Sequence, residues 1–377
     1  MMSSAARSKR DPRLDVLRGL ALMMIFVDHI PGNVLSRGTM HNFSFCDAAE
    51  LFVLISGTSS MLAYGGAFDR IGPAAGFGRL VRRWIRLYVF QIAMVLFTLG
   101  AVFLWTWHFH TASKLMQPFF QQPALGILQS LTLHAVPAYL DILPLYLALL
   151  AVFPLIYAGL RTSVWLTLAV SAALWVLANC VPWLNIPNWA YGGHWPFNPL
   201  AWQFLFTIGA AVGVRLMAGE PLAPRVRAVV WLSIAYLVFA FVENFPWTLW
   251  HLPDLRPVMI ATPSKANLSA FRLADILALA YLLLSSPAFL AWAGRRIFQA
   301  IDLLGRHSLE VFATGCVASL LGRLSFHTYG PTLANQIVVN VLGFAAMWIV
   351  AYLLDEYAGR AAFSRGAPAG RSAPART

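Results

Sequence analysis

Arg18 and His29, both in the first apolar run, are the residues whose types and spacing best suit chemistry. They stand eleven positions apart in RLDVLRGLALMMIFVDHIPGN. At about 100° per residue that is close to three helical turns, so both occupy one face, about 16 Å apart along the axis. A guanidinium at one end of that line can hold an anion. A neutral imidazole at the other can take a proton at physiological pH. Asp15, three residues before Arg18, can pair with it. Without chemistry, Arg18 reads as a salt-bridged or snorkelling anchor and His29 as a hydrogen-bonded interfacial histidine. Asp28 is adjacent to His29 but leaves the helix on another face, so chain order sets up no Asp–His pair.

The second run, CDAAELFVLISGTSSMLAYG, opens with Asp47 and Glu50 at i and i+3, two carboxylates able to orient an imidazole. The same pair also reads as a helix N-cap completed into a capping box. Gly57, two turns further along that face, permits close helix approach. Before the third run stands FGRLVRRWIRLY, with Arg82 and Arg86 at i and i+4 and Arg79 and Arg83 beside them. Arginines at a cytoplasmic helix end obey the positive-inside rule. The choice of Arg four times, with no Lys, favours forked binding of phosphate or carboxylate, as a donor such as coenzyme A would require. Further polar groups are Asp141 in YLDILPLY, Asn198 and Gln203 in FNPLAWQF, and Lys265 and Arg272 in KANLSAFRLADILALAYL. His307, Ser308 and Glu310 in GRHSLEVF read as a helix start. No GxSxG, phosphate-binding loop or zinc spacing occurs, and the three cysteines are isolated, so no metal or disulfide pattern is present.

The elements that position these groups are apolar helices. The chain is 59% hydrophobic and 11% charged, against about 25% charged for a soluble domain. Its apolar runs recur at lengths suited to about 30 Å of hydrocarbon. The expected fold is all-α, a polytopic transmembrane helical bundle of about ten spans, roughly 14–34, 47–65, 82–106, 141–159, 163–181, 199–217, 226–244, 269–289, 306–323 and 333–356. Residues 107–140 are too long for a turn and are expected to contain a re-entrant or interfacial helix. Residues 182–198 read as an ordered loop. The domain division is a basic N-terminus 1–13, a transmembrane domain 14–358 and a disordered tail 359–377. Ten spans put both termini on one side. With that side cytoplasmic, only Arg37, Lys114, Arg256, Lys265, Arg272 and Arg323 fall outside and Arg18 within a span, leaving 20 of the 27 Lys and Arg inside. The net charge of +12 is therefore topological and does not indicate nucleic acid. A polar-centred bundle of this kind is an enzyme or a transporter. One Arg and one His on a shared face, with no sign of two similar halves, favour the enzyme.

RLDVLRGLALMMIFVDHIPGN, DAAELFVLISGTSSMLAYG, RRWIRLY, YLDILPLY, FNPLAWQFLFTIG and GRHSLEVFATG together resemble the OpgC family of membrane proteins. The layout is also similar to that of the wider acyltransferase-3 group. The resemblance implies transfer of a succinyl group from cytoplasmic succinyl-CoA to hydroxyls of osmoregulated periplasmic glucans, in a bacterial inner membrane. By that resemblance His29 is the catalytic histidine, and Arg18 with Arg82, Arg83 and Arg86 binds the donor. Asp47, Glu50 or Asp141 would orient the imidazole. Lys265, Arg272, Asn198 and Gln203 would face the acceptor. No bound cofactor is implied beyond the acyl-CoA donor substrate. An O-acetyltransferase of another glycan or lipid, and a transporter or sensor without chemistry, remain the alternatives.

Overall fold

The computed structural model describes residues 11–110, 116–137, 139–181, 183–190, 192–260 and 263–364, with side chains to Arg360. Lys114 and most of the expected tail lie outside the described residues. Among the described residues the protein is all-helical, with one isolated bridge between Pro187 and His194 and no strand. Seven helices are long and apolar enough to cross a membrane, and a bent pair makes an eighth.

Helix α1 (Pro12–Asp28) starts where Asp11 caps it and Pro12 fills the first position, and it ends at His29 before Pro31 and Gly32. With 17 residues it is shorter than the expected span 14–34. Helix α2 (Ala48–Ser60) passes through a π-helical turn, Met61–Gly65, into α3 (Gly66–Ile71). Helix α4 (Pro73–Phe109) has 37 residues, about 56 Å. It outruns a bilayer core, so its arginine-bearing first part adds length beyond the apolar stretch. Between α4 and α7 (Ile142–Thr162) lie two short helices, α5 (Gln117–Gln121) and α6 (Pro123–Leu131). Helix α6, which exposes Ile127, Leu128 and Leu131, lies in the region where a re-entrant or interfacial helix is expected.

Helices α8 (Val164–Cys180), α9 (Pro199–Met217) and α10 (Arg227–Asn244) follow. Helices α11 (Ala270–Leu284) and α12 (Pro287–Ala293) meet at a 76° bend. The chain then forms α13 (Gln299–Arg306), α14 (Ser308–Tyr329) and α15 (Leu333–Ser364). The last helix runs past the boundary set at residue 358 and takes in the first part of the expected tail.

Two glycine-mediated crossings fix the centre. A Cβ on Gly57 would strike the carbonyl of Phe206, and one on Gly209 that of Leu54, so α2 and α9 touch backbone to backbone. Thr58 Oγ1 donates to Gly209 O at 2.9 Å across the same contact. Gly19 and Gly305 do the same for α1 and α13, meeting Ile301 O and Asp15 O. The segment between α1 and α2 is pinned at both ends. Asn33 and Asn340 exchange amide hydrogen bonds of 2.8 and 3.1 Å, and Asp275 of α11 accepts from Ser44 Oγ at 2.6 Å and Phe45 N at 2.5 Å. The 182–198 loop is likewise tied down, with Trp189 N donating to His134 O at 2.7 Å.

Candidate functional site: two polar cavities on one helix

Arg18 and His29 open into different cavities at opposite ends of α1, as their spacing requires. The chamber at the Arg18 end, the inner one in the orientation expected from the charge distribution, holds about 180 Å3 and is lined by Arg18, Arg83 and Arg306, by the hydroxyls of Ser56, Ser59, Ser60, Tyr64, Tyr146 and Ser308, and by Phe52, Leu143 and Phe312. Arg18 donates to Asp15 Oδ1 at 3.0 Å, to Gly305 O at 3.3 Å, and to Ser59 Oγ. The α1–α13 crossing thus fixes the guanidinium. Arg306 pairs with Asp302 at 3.0 Å and Asp355 at 3.1 Å, while Arg83 has no ion pair among the described residues. At Arg18 and Ser59 the chamber adjoins a second space of about 490 Å3 that reaches Arg70 and Met217. Three guanidiniums among hydroxyls make a receptor for phosphate or carboxylate.

The expected donor arginines divide. Arg83 lines the chamber, but Arg82 and Arg86 are exposed and do not. Helical phase is the reason. Arg83 falls on the stripe of buried Leu80, Leu87, Gln91 and Met94, whereas Arg82 and Arg86 share the stripe of exposed Ile85 and Val89. The apolar pattern does not separate the two stripes, since Ile85 and Val89 are apolar and exposed while Gln91 is polar and buried. Arg306 was not legible either, because GRHS also reads as a helix start, which it is.

The outer cavity holds about 450 Å3 and brings together His29, Asp47, Asp141 and Lys265 with Asp28, His41, Tyr139 and Phe197. His29 caps the C-terminus of α1. Its ring meets Tyr139 edge-on, centroids 4.9 Å apart, and Arg323 sits 3.9 Å from the centre of the Tyr139 ring. Tyr139 adopts φ +71°, a strained value for a bulky residue. His29 Nδ1 is buried with no hydrogen-bond partner, so no carboxylate orients it directly. The histidine with a carboxylate is His41. Its Nδ1 lies 3.3 Å from Asp28 Oδ1, and that hydrogen bond raises the His41 pKa above its ordinary value, outweighing desolvation.

Asp47 and Glu50 form the expected capping box. Asp47 Oδ1 accepts from Ala49 N and Glu50 Oε2 from Asp47 N, each at 2.9 Å. They are also ion-paired, Asp47 with Lys265 at 2.6 Å and with Arg272 at 3.1 Å, and Glu50 with Arg272 at 2.6 Å. Burial opposes the Lys265 ammonium, yet Asp47 and Glu50 outweigh it and lift its pKa. Asp47 and Lys265 face the cavity, whereas Glu50 and Arg272 are buried behind it and join α2 to α11.

Asn198 and Gln203 do not line the cavity, because their amides are consumed by the fold. Asn198 caps α9 and donates to Leu184 O and Asn267 Oδ1. Gln203 Nε2 donates to Ser171 O at 2.8 Å, and its Oε1 accepts from Ser171 Oγ at 2.5 Å, tying α8 to α9.

The cavities nearly meet. Ala49 lines the outer and Phe52 the inner one on α2, and on α7 Ile142 and Leu143 divide in the same way. The partition is therefore about one helical turn thick. Phe52 and Phe312, with ring centroids 6.3 Å apart, stand on its inner side.

Fold and site define a polytopic helical membrane protein with a cationic chamber and a histidine–carboxylate cavity on a common axis. The profile of the OpgC protein family matches residues 10–359, and the chain belongs to that family. Membership gives acyl transfer at a membrane as the class of activity. No curated protein and no solved structure matches the chain.

Proposed function

We propose that the protein transfers a succinyl group from succinyl-CoA on the cytoplasmic face to hydroxyls of a periplasmic glucan, as a ten-span protein of a bacterial inner membrane with both termini cytoplasmic. The observation that carries this reading is the pair of cavities a single turn apart, three guanidiniums on one side and histidines with carboxylates on the other. Coenzyme A is anionic and its thioester lies at the end of a thin arm. The Arg18–Arg83–Arg306 chamber suits the charge, and the gap between the cavities suits the arm. A glucan hydroxyl is neutral, and carboxylates and imidazoles are the groups that bind and deprotonate it. The division of 20 basic residues inside against six outside supports the orientation.

In this reading His29 meets the thioester carbonyl, and Asp47 and Asp141 accept hydrogen bonds from the acceptor. Lys265 faces either the acceptor or the carboxylate of the acyl group. The hydroxyl oxygen attacks as its proton passes to an imidazole of the outer cavity, and the thiolate departs towards the arginines and is protonated by water. No bound cofactor takes part.

The test is deletion of the gene, complementation with wild type or His29→Ala at matched membrane levels, and mass spectrometry of the periplasmic glucans. Succinyl esters restored by wild type alone are expected. A different ester would overturn the donor, and unchanged glucans in every strain would overturn the function.

A further inference from the structure

Two histidines line the outer cavity, and their settings are opposite. His29 has a buried Nδ1 with no partner. The charged groups near it are Lys265, Asp47 and Asp141, in the same cavity, and Arg323, seated on the Tyr139 ring that His29 touches. An imidazolium formed there has no carboxylate on its Nδ1 to stabilise it. Negative charge growing on a carbonyl oxygen beside the ring is met by Lys265 and Arg323.

His41 has the arrangement that His29 lacks. Asp28 Oδ1 is 3.3 Å from its Nδ1, and Thr39 Oγ1 links the two at 2.7 Å to Asp28 and 2.9 Å to His41. Asn42 Nδ2 lies 3.0 Å from Nε2. An amide nitrogen can only donate, so the network assigns the lone pair to Nε2 and the proton to Nδ1, where Thr39 Oγ1 lies at 2.9 Å and Asp28 Oδ1 at 3.3 Å. That is the tautomer in which a histidine accepts a proton while a carboxylate holds its other N–H. The charged groups facing His41 are Asp28 at the end of α1, Asp47 at the start of α2 and Lys265 from the segment before α11. Two carboxylates against one ammonium favour the protonated ring. The ring is 42% exposed, within reach of a large polymer outside the membrane.

We infer that His41, held by Asp28, takes the proton from the acceptor hydroxyl, while His29 holds the thioester carbonyl. This rests on the acyl-transfer reading above. The acceptor oxygen bonds to the acyl carbon as its O–H bond breaks, displacing the Asn42 amide from Nε2 and passing the proton there. The carbonyl oxygen gains negative charge beside His29, then re-forms its double bond as the C–S bond breaks. The thiolate leaves inward and takes a proton from water, and the exposed His41 returns its proton to solvent.

Hydroxylamine separates this role from a structural one, since its nitrogen attacks a thioester without a base. The full-length protein in detergent is given succinyl-CoA with either glucan or hydroxylamine, and the glucan ester or the hydroxamate is counted above the uncatalysed rate. Wild type is expected to transfer to glucan faster as pH rises and His41 deprotonates; His41→Gln is expected to lower that transfer by about 100-fold, to lack the rise with pH, and to leave hydroxamate formation unchanged. Asp28→Asn is expected to follow the same pattern more weakly, and His29→Ala to lose both products. His41→Gln protein that esterifies glucan normally, or that loses both products together, overturns the inference. Wild type that forms neither product overturns the acyl-transfer reading itself.

Discussion

The inner and outer cavities share walls on α1, α2 and α7 yet are built on different electrostatic plans. Inside, Arg18 is held by Asp15, and Arg306 by Asp302 and Asp355. Arg83 has no ion pair among the described residues, and hydroxyls fill the remaining positions. Outside, Asp28 is paired with His41 and Asp47 with Lys265, Asp141 has no ion pair among the described residues, and a further pair, Glu50 with Arg272, is buried behind the wall. An unpaired cation waits for an anionic ligand. A paired cavity holds its shape without one and offers acceptors to neutral hydroxyls. The lesson is that burial of charge serves binding on one side and architecture on the other, although the residue types overlap.

The largest effect is expected where architecture is broken. Arg272→Met leaves Glu50 buried without its cation and is expected to cost about 3–5 kcal/mol, read as a lower melting temperature in detergent. Adding Glu50→Gln to it should recover part of that loss. A single variant as stable as wild type would mean that the pair is not structural. Next comes His29→Ala, expected to reduce acyl transfer by at least about 100-fold while the KM for succinyl-CoA holds. A raised KM with normal kcat would move His29 into donor binding and erase the contrast between the cavities.

Arg83→Met removes a charge-assisted contact worth about 1.5–3 kcal/mol and should raise that KM about 10–100-fold with kcat little changed. Arg82→Met, on the exposed stripe one residue away, should stay within about 0.5 kcal/mol in stability and leave the KM unaltered. Equal effects of the two would show that charge at the helix end matters and the chamber does not.

The smallest effect concerns pH. The folded state raises the His41 pKa, so the contribution of its contact with Asp28 to stability is complete below the unfolded value near about 6.5 and disappears as pH rises through the folded value. The melting-temperature difference between wild type and His41→Gln should therefore narrow from acid to alkaline pH. A difference that widens would refute the pair.

Much of this was legible in the chain. Apolar runs long enough for a bilayer force helices whatever their neighbours, because unpaired backbone groups cannot persist in hydrocarbon. The eleven-residue interval between Arg18 and His29 placed them at two ends of one helical face. The Asp47–Glu50 spacing gave the capping box, and Gly57 marked a point where another helix can approach closely. All of these are local, set by residues within a few turns of one another. What the tertiary structure decided is which polar groups meet across helices. Asn198 and Gln203, expected at the acceptor, are consumed by contacts to Asn267 and Ser171. Arg306 reaches the Arg18 chamber only because Gly19 and Gly305 let α1 and α13 touch. His41 acquires its carboxylate because the loop after α1 folds back to Asp28, tied down by Asn340 and Asp275 from distant helices. Helical periodicity is a property of neighbouring residues, so the sequence by itself carries it. Partnership between side chains hundreds of residues apart depends on how helices cross, and that is settled only when the bundle closes.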